Sequence, residues 1–404
     1  MKNKFVAKIK NIFSNTHFGF FLILIILVLI SFFIAPEFFS SKVFNEIKNE
    51  IVKSEEKETP AISPLDTVAY DKKMKELANN PPDPIVYQTV KTIVKDSKTG
   101  KSITKTEKVP LSPQPVRTHL WPVKTVYPNA GAILPFNRII AYYGNLYSTK
   151  MGVLGEYPEA EMFQRLGAET EKWKLADPNT PVIPALHYIA VMAQGSTGKD
   201  GKYRTRMPDS EIDKVIKMAE KIPARNASGI ADAGGNALVF LDIQVGFSNL
   251  QTEVPLLEKY LKLPNVHLGI DPEFSMKNGI KPGKIVGTYD ASDINFTAEY
   301  LAKIVKENNL TPKILVVHRY TQKMVTNYKE IKPLPEVQIV MDMDGWGEKA
   351  KKIDTYKQFV YKEPVQFTGF KLFYKNDILT PGTVLFNPNE LLKLNPQPIY
   401  IQYQ

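Results

Sequence analysis

Two carboxylates two residues apart, Asp271 and Glu273 in the stretch VHLGIDPEF, are the first residues whose types and spacing point to chemistry. Side chains in extended backbone alternate faces, so residues two apart point the same way and these two acids share one cavity. Pro272 between them has no N–H to give to a sheet ladder and marks the end of a strand. Two acids aimed into one pocket repel, which raises the pKa of one of them, as a general acid near neutral pH requires. The same spacing recurs after other apolar runs, as Asp242-x-Gln244, His318-x-Tyr320, Asp342-x-Asp344 and Lys371-x-Phe373, with Gln402 ending the last run.

The chemistry this set suits is glycoside hydrolysis, in which one carboxyl protonates the glycosidic oxygen while a second group stabilises the positive sugar. Glu273 is the expected acid, with Asp271 orienting it or a substrate N-acetyl group, by a retaining or substrate-assisted route. Asp342 or Asp344 supplies a base or counter-charge from across the site. Asp242, Gln244, His318, Tyr320, Lys371 and Gln402 are expected substrate contacts. Tyr142, Tyr143, Tyr320, Trp346, Phe373 and Tyr374 suit sugar stacking. A plainer reading makes Lys371 a rim salt bridge to an aspartate and His318 a hydrogen-bonded core residue.

Two other function classes share these residues. One is a non-catalytic binder of a glycan or an anionic envelope polymer, drawn by the lysine-rich surface. The other is a metal-dependent hydrolase. No His-x-His or His-Glu-x-x-His occurs, and His187 and His318 lie on separate strands, so neither a metal site nor another cofactor is expected. There is no Gly-x-Ser-x-Gly for a serine nucleophile.

Strands must position these groups, and eight apolar runs are present: 138–143, 182–189, 237–242, 266–270, 313–318, 337–342, 367–373 and 398–402. Helical patterns fall between them at 158–175, 208–222, 254–263, 294–308 and 346–360. Alternating strands and helices over residues 131–404 predict a (β/α)8 barrel of TIM type, whose active site forms at the C-terminal strand ends. The rival open doubly wound sheet lacks its signature: no Gly-x-Gly-x-x-Gly follows the first strand, and there is no phosphate loop.

Residues 1–17 are basic, and residues 18–35 form an uncharged apolar run. Eighteen residues make about 27 Å of helix, close to a bilayer's hydrocarbon thickness. An uncleaved signal anchor is expected, with its basic flank cytoplasmic and the rest extracytoplasmic, at the cell membrane. Residues 36–130 read as a stem and Pro-rich linker: an amphipathic stretch over 37–60, then dense prolines and one alternating segment at 87–110 that predicts a β-hairpin. The chain of 404 residues is 43% hydrophobic, enough for a large core. Its formal charge of +10 is spread among acids without an Arg-rich, aromatic-interleaved patch, so no nucleic-acid partner is expected. With no cysteine, disulfides, thiolate chemistry and a lipidated N-terminal cysteine are excluded.

The strand-four D-x-E resembles the end of the signature of chitinase-type and Chalaropsis-type lysozyme glycosidases, barrel enzymes in which the Glu is the acid and the Asp assists. Asp271 and Glu273 match it; where the chitinase pattern has two further upstream aspartates, this chain has Gly269 and Val266. The blocks HLGIDPEF, IVGTYDASDIN, KILVVHRY, VMDMDGWG and PQPIYIQYQ resemble a broader group of functionally uncharacterised bacterial cell-surface or secreted proteins. That resemblance implies a barrel and a surface location.

Overall fold

The structure, a computed structural model, describes residues 63–115, 117–222 and 236–404. The expected anchor, its basic flank and the amphipathic stretch before Pro60 lie outside the described residues. Among the described residues, no helix is long and apolar enough to cross a membrane.

Eight parallel strands close into a ring. They are β1 Arg138–Gly144, β2 Val182–Ala193, β3 Leu238–Ile243, β4 Val266–Ile270, β5 Lys313–Arg319, β6 Val337–Met343, β7 Phe367–Leu372 and β8 Tyr400–Tyr403. Each pairs with its sequence neighbours, and β8 pairs with β1 to complete the circle. This is the (β/α)8 architecture expected from the alternation of elements. Every residue of β1, β3, β4, β5, β6, β7 and β8 is buried, as strands covered on both faces must be.

The outer layer is less regular than the inner one. Helix α1, Thr67–Ala78, precedes the barrel; α2, Glu159–Ala176, follows β1, α3, Asp209–Glu220, follows β2, and α4, Ala291–Glu307, follows β4. Helix α5, Lys349–Tyr356, follows β6 and runs into a wider π turn at Lys357–Tyr361. The helix expected over 254–263 is a 3-10 turn followed by one α turn, Pro255–Leu257 and Glu258–Leu261, because Pro255 cannot donate a helical hydrogen bond. Between β5 and β6 there is no α-helix, only single 3-10 turns at Gln322–Met324 and Tyr328–Glu330 on either side of a two-residue strand, Val325–Thr326. Helix α4 is the best capped, with Asp290 accepting from Ser292 N and Asp293 accepting from the Asp290 N–H.

Two apolar cores result. One lies between the strands and the outer helices; the other fills the lower barrel with Ile139, Ala185, Phe240, Val316, Val340 and Phe367. Helix α1 belongs to that second core. Its Tyr70, Met74 and Leu77, spaced four and three apart, are buried against it. Asp66 caps its N-terminus, accepting from Val68 N at 3.0 Å and Ala69 N at 2.9 Å. Leu134 adds to the plug, with its backbone N–H and C=O both bonded to the buried Gln338 amide at 3.1 and 2.6 Å.

The reading of 36–130 as a stem is therefore corrected at α1, which closes the N-terminal end of the barrel; a single amphipathic helix among prolines carries no mark of the surface it will cover. The hairpin does form, Tyr87–Lys95 against Ser102–Pro110, with Asp96 capping the turn through Lys98 N and Thr99 N. Its strands are exposed on both faces apart from the half-buried Val109.

Burial separates the two N-terminal elements in stability. Met74→Ala in the plug is expected to cost about 2–5 kcal/mol, and Ile93→Ser on the exposed hairpin less than about 0.5 kcal/mol. Urea unfolding of the two variants checks the contrast.

Candidate active site

Parallel registry carries the polar strand-end residues into the barrel. Asp342 of β6 stands level with His318 of β5 and Gly369 of β7, and Asp242 of β3 stands level with Gly269 of β4. The interior changes from apolar to polar at a layer of rings in which His187 stacks on Phe240, 5.3 Å between centroids, and bonds to Tyr400. Above that layer nearly every inward residue is titratable.

Asp242 is the hub of the deeper level and has no solvent exposure. Its Oδ2 accepts from the Tyr143 hydroxyl at 3.0 Å. Its Oδ1 faces two imidazole nitrogens, His187 Nε2 at 3.5 Å and His318 Nε2 at 3.6 Å. The far nitrogen of each imidazole is also engaged. His187 Nδ1 lies 2.6 Å from the Tyr400 hydroxyl, which accepts from Gln402 Nε2 at 3.0 Å. His318 Nδ1 lies 3.2 Å from Asp344 Oδ2 and 3.5 Å from Asp342 Oδ2.

Two glycines make this packing possible. A Cβ on Gly269 would fall 2.4 Å from His187 Nε2 and 2.6 Å from Asp242 Oδ1, and one on Gly369 would fall 2.5 Å from Asp342 Oδ1. Neither strand position can carry a side chain while the acids and imidazoles occupy the centre.

At the mouth, Lys371 Nζ bonds Asp344 Oδ1 at 2.9 Å and sits 3.8 Å above the Tyr143 ring. Asp271 is buried; its Oδ1 accepts the Glu273 N–H at 3.0 Å and its Oδ2 faces Gln244 Nε2 at 3.4 Å, while Gln244 Nε2 also donates to Tyr143. Glu273 is half-buried, and the nearby Tyr320 hydroxyl favours its ionised form.

These contacts divide the acids into two groups. Burial raises the Asp271 carboxyl well above its ordinary value, with the Glu273 and Asp242 charges adding to the rise against the pull of His318. Burial raises Glu273 as well, helped by Asp344 and opposed by Tyr320, Lys371 and His318. Asp342 is raised to about 7, chiefly by burial. Asp242 and Asp344 move the other way: burial would raise both, yet His318 with His187 outweighs it for the first, and Lys371 with His318 for the second. Burial alone would keep His318 neutral, but Asp242 and Asp344 hold its imidazolium form well above the ordinary range. His187 is lowered to about 4 by burial. The result is two carboxylates held ionised beside cations, with three acids of raised pKa around and above them.

The expected site residues fare unequally. Asp242, Gln244, Asp271, Glu273, His318, Tyr320, Asp342, Asp344 and Lys371 converge as anticipated. Asp242, His318, Asp342 and Gln402, expected to meet substrate or take part in its cleavage, have no exposed surface and lie beneath the mouth. Tyr142 is a one-residue register error: it faces outward, packing on Tyr374 and Tyr403, and its hydroxyl lies 3.2 Å from that of Tyr374. Its neighbour Tyr143 is the inward aromatic. Trp346 is 49% exposed on the rim, with the Lys351 ammonium 4.9 Å from its ring centroid. His187 and Tyr400 were not assigned to the site from sequence, though both keep the inward register, His187 level with Tyr143 and Tyr400 two residues before Gln402.

No family model and no curated protein matches the chain. Among solved structures it is similar to a Burkholderia cenocepacia dihydropteroate synthase complexed with 7,8-dihydropteroate, at 9% identity and a TM-score of 0.29, over 67% of this chain and 86% of that one.

The glycine requirement is directly testable. Gly269→Ala must push His187 and Asp242 apart, an overpacking expected to cost about 1–3 kcal/mol in thermal or urea unfolding. A variant as stable as the parent would mean that the two side chains do not meet at this point.

Proposed function

We propose that the barrel is the extracytoplasmic head of a membrane-anchored protein that binds and hydrolyses a cell-envelope or environmental glycan. The observation that carries this reading is Glu273: a half-buried carboxyl at the C-terminal mouth, its backbone N–H held by the buried Asp271, and its pKa raised by burial and by Asp344. A carboxyl whose pKa is raised while it remains reachable is what a glycosidic leaving group needs. In the proposed step the Glu273 proton passes to the glycosidic oxygen as the bond to the anomeric carbon breaks. Water then supplies the hydroxyl at that carbon, and its proton returns to the Glu273 carboxylate.

Asp271 acts as the positioning partner. Its Oδ1 holds the Glu273 backbone N–H and so sets where the acid begins its reach. The ion pair of Asp344 with Lys371, both nearly buried, provides a fixed field at the site floor against which positive charge on the sugar develops. The half-exposed Trp346 offers a ring on which a sugar can stack. The resemblance of the D-x-E to chitinase-type and Chalaropsis-type glycosidases supports the same assignment of acid and assistant. The apolar run of residues 18–35 and its basic flank support the anchored, extracytoplasmic placement.

The test is a glycan panel presented to the full chain, with reducing-end release and binding measured in parallel. Glu273→Gln should lower turnover about a hundred- to ten-thousand-fold while glycan affinity changes little, because the amide keeps the shape and loses the proton. The protonated acid is the working form, so turnover should fall as pH rises through the raised Glu273 pKa. Equal turnover in both proteins would place the acid elsewhere. Binding without turnover in either would make this a glycan- or polymer-binding head.

A further inference from the structure

We propose that a divalent first-row transition-metal cation binds inside the barrel between His187 Nε2, Asp242 Oδ1 and His318 Nε2. These three atoms come from β2, β3 and β5, all lie within 4.8 Å of one another, and belong to side chains with no solvent exposure.

None of the three atoms makes a hydrogen bond. Buried nitrogen and oxygen atoms nearly always find a partner, so three orphans aimed at one point ask for an explanation. A His–Asp–His hydrogen-bond relay does not supply it. Such a relay would close to about 2.7–2.9 Å, the usual distance of a charge-assisted bond. The carboxylate oxygen instead stands 3.5 Å from one imidazole nitrogen and 3.6 Å from the other. Donors sharing a tetrahedral ion at bonds of about 2.1 Å lie about 3.4 Å apart, so these separations match the edges of a coordination polyhedron. The remaining His–His edge closes by a swing of the two rings toward each other.

The surroundings are built for the same purpose. A metal-bound imidazole normally hands its other nitrogen to an outer partner, which fixes the ring. His187 does so, its Nδ1 meeting the Tyr400 hydroxyl at 2.6 Å, while His318 Nδ1 makes no hydrogen bond but has the Asp344 carboxylate 3.2 Å behind it as an ionic partner. Tyr143 takes the second Asp242 oxygen at 3.0 Å and leaves Oδ1 aimed at the two imidazoles. Gly269 keeps the facing wall clear, since a Cβ there would intrude on both the His187 nitrogen and the Asp242 oxygen. Two imidazoles and one carboxylate with no thiolate suit zinc, iron(II) or cobalt(II) ahead of magnesium or calcium, which favour all-oxygen sites; in the metal-free barrel His318 is the imidazolium, and the cation takes the place of its Nε2 proton, which is released to solvent.

The enclosed position fits an ion that fastens three strands together. It does not depend on the glycan reading, because no substrate group need reach it. Its consequences are stoichiometric metal and higher stability, both measurable without any glycan.

The full chain, produced in zinc-supplemented medium and dialysed against metal-free buffer, is analysed by mass spectrometry for metal content. About one zinc per chain is expected, and cobalt(II) loading during refolding should give the visible band of a low-coordinate site. His187→Gln and Asp242→Asn should each lower retained metal at least about tenfold. His119→Gln, which alters a half-buried histidine outside the barrel interior paired with Asp83, should retain it. Substoichiometric metal in the parent chain without a cobalt band overturns the proposal, and so does metal retained equally in the two ligand variants. If a ligand variant does not fold, the parent decides alone: a cobalt spectrum and a chelator-induced fall in melting temperature support the site, and the absence of both overturns it.

Discussion

A carboxylate sealed inside the ring, Asp242, is the constraint to which the upper barrel answers. Leaving such a charge unpaired costs several kcal/mol, so its neighbours cannot be chosen freely. Tyr143 takes one oxygen, and the two imidazoles flank the other. His318 then needs Asp344 behind it, Asp344 needs Lys371, and Lys371 rests on the ring of Tyr143. The chain of dependence passes through β3, β5, β6, β7 and β1 and returns to its start. Electrostatics thus links strands that are not all neighbours in the sheet, an addition to the backbone ladder that already joins them.

The same closure explains why three further acids of the upper barrel have raised pKa values. Two carboxylates, Asp242 and Asp344, already match two cations, His318 and Lys371. Any further ionisation in that volume adds an unmatched negative charge where water is scarce, which is why Asp271, Glu273 and Asp342 all move upward. Water is scarce because the other end is shut. Helix α1 and Leu134 cover the N-terminal openings of the strands and join the apolar lower core, leaving the C-terminal mouth as the polar end. A helix that ends sixty residues before β1 begins thus closes the end of the barrel opposite that glutamate.

Much of this was legible because strand geometry has a period of two. Asp242 and Gln244, Asp271 and Glu273, and Asp342 and Asp344 each follow an apolar run, and alternation alone puts both members of a pair on the inner face. The same rule misassigns a whole face when the register slips by one, as between Tyr142 and Tyr143. Nothing in a run such as RIIAYYG marks which tyrosine is inward, because a parallel strand is apolar on both faces. The His187–Asp242–His318 constellation left no spacing to find, since each residue comes from a different strand and is brought in by ring closure. Gly269 showed only as a missing chitinase aspartate, although its lack of a side chain is what admits His187 and Asp242. Depth was invisible too: sequence distinguishes inward from outward, not the mouth from the layer beneath it.

Depth is also what separates the roles of Asp271 and Glu273. Both carboxyls are raised, so acidity does not choose between them. Asp271 is held at both oxygens, by the Glu273 backbone N–H and by Gln244, and those bonds fix its plane. Glu273 has one more methylene, lies one step further out along the loop, and is only half-buried, with no side-chain hydrogen bond pinning its carboxyl oxygens among the described residues. A group that delivers a proton must change partners during the reaction, which a carboxyl pinned at both oxygens does poorly and a longer one at the rim does readily. The short acid orients and the long acid acts; exchanging them would place the mobile proton where no substrate oxygen can come.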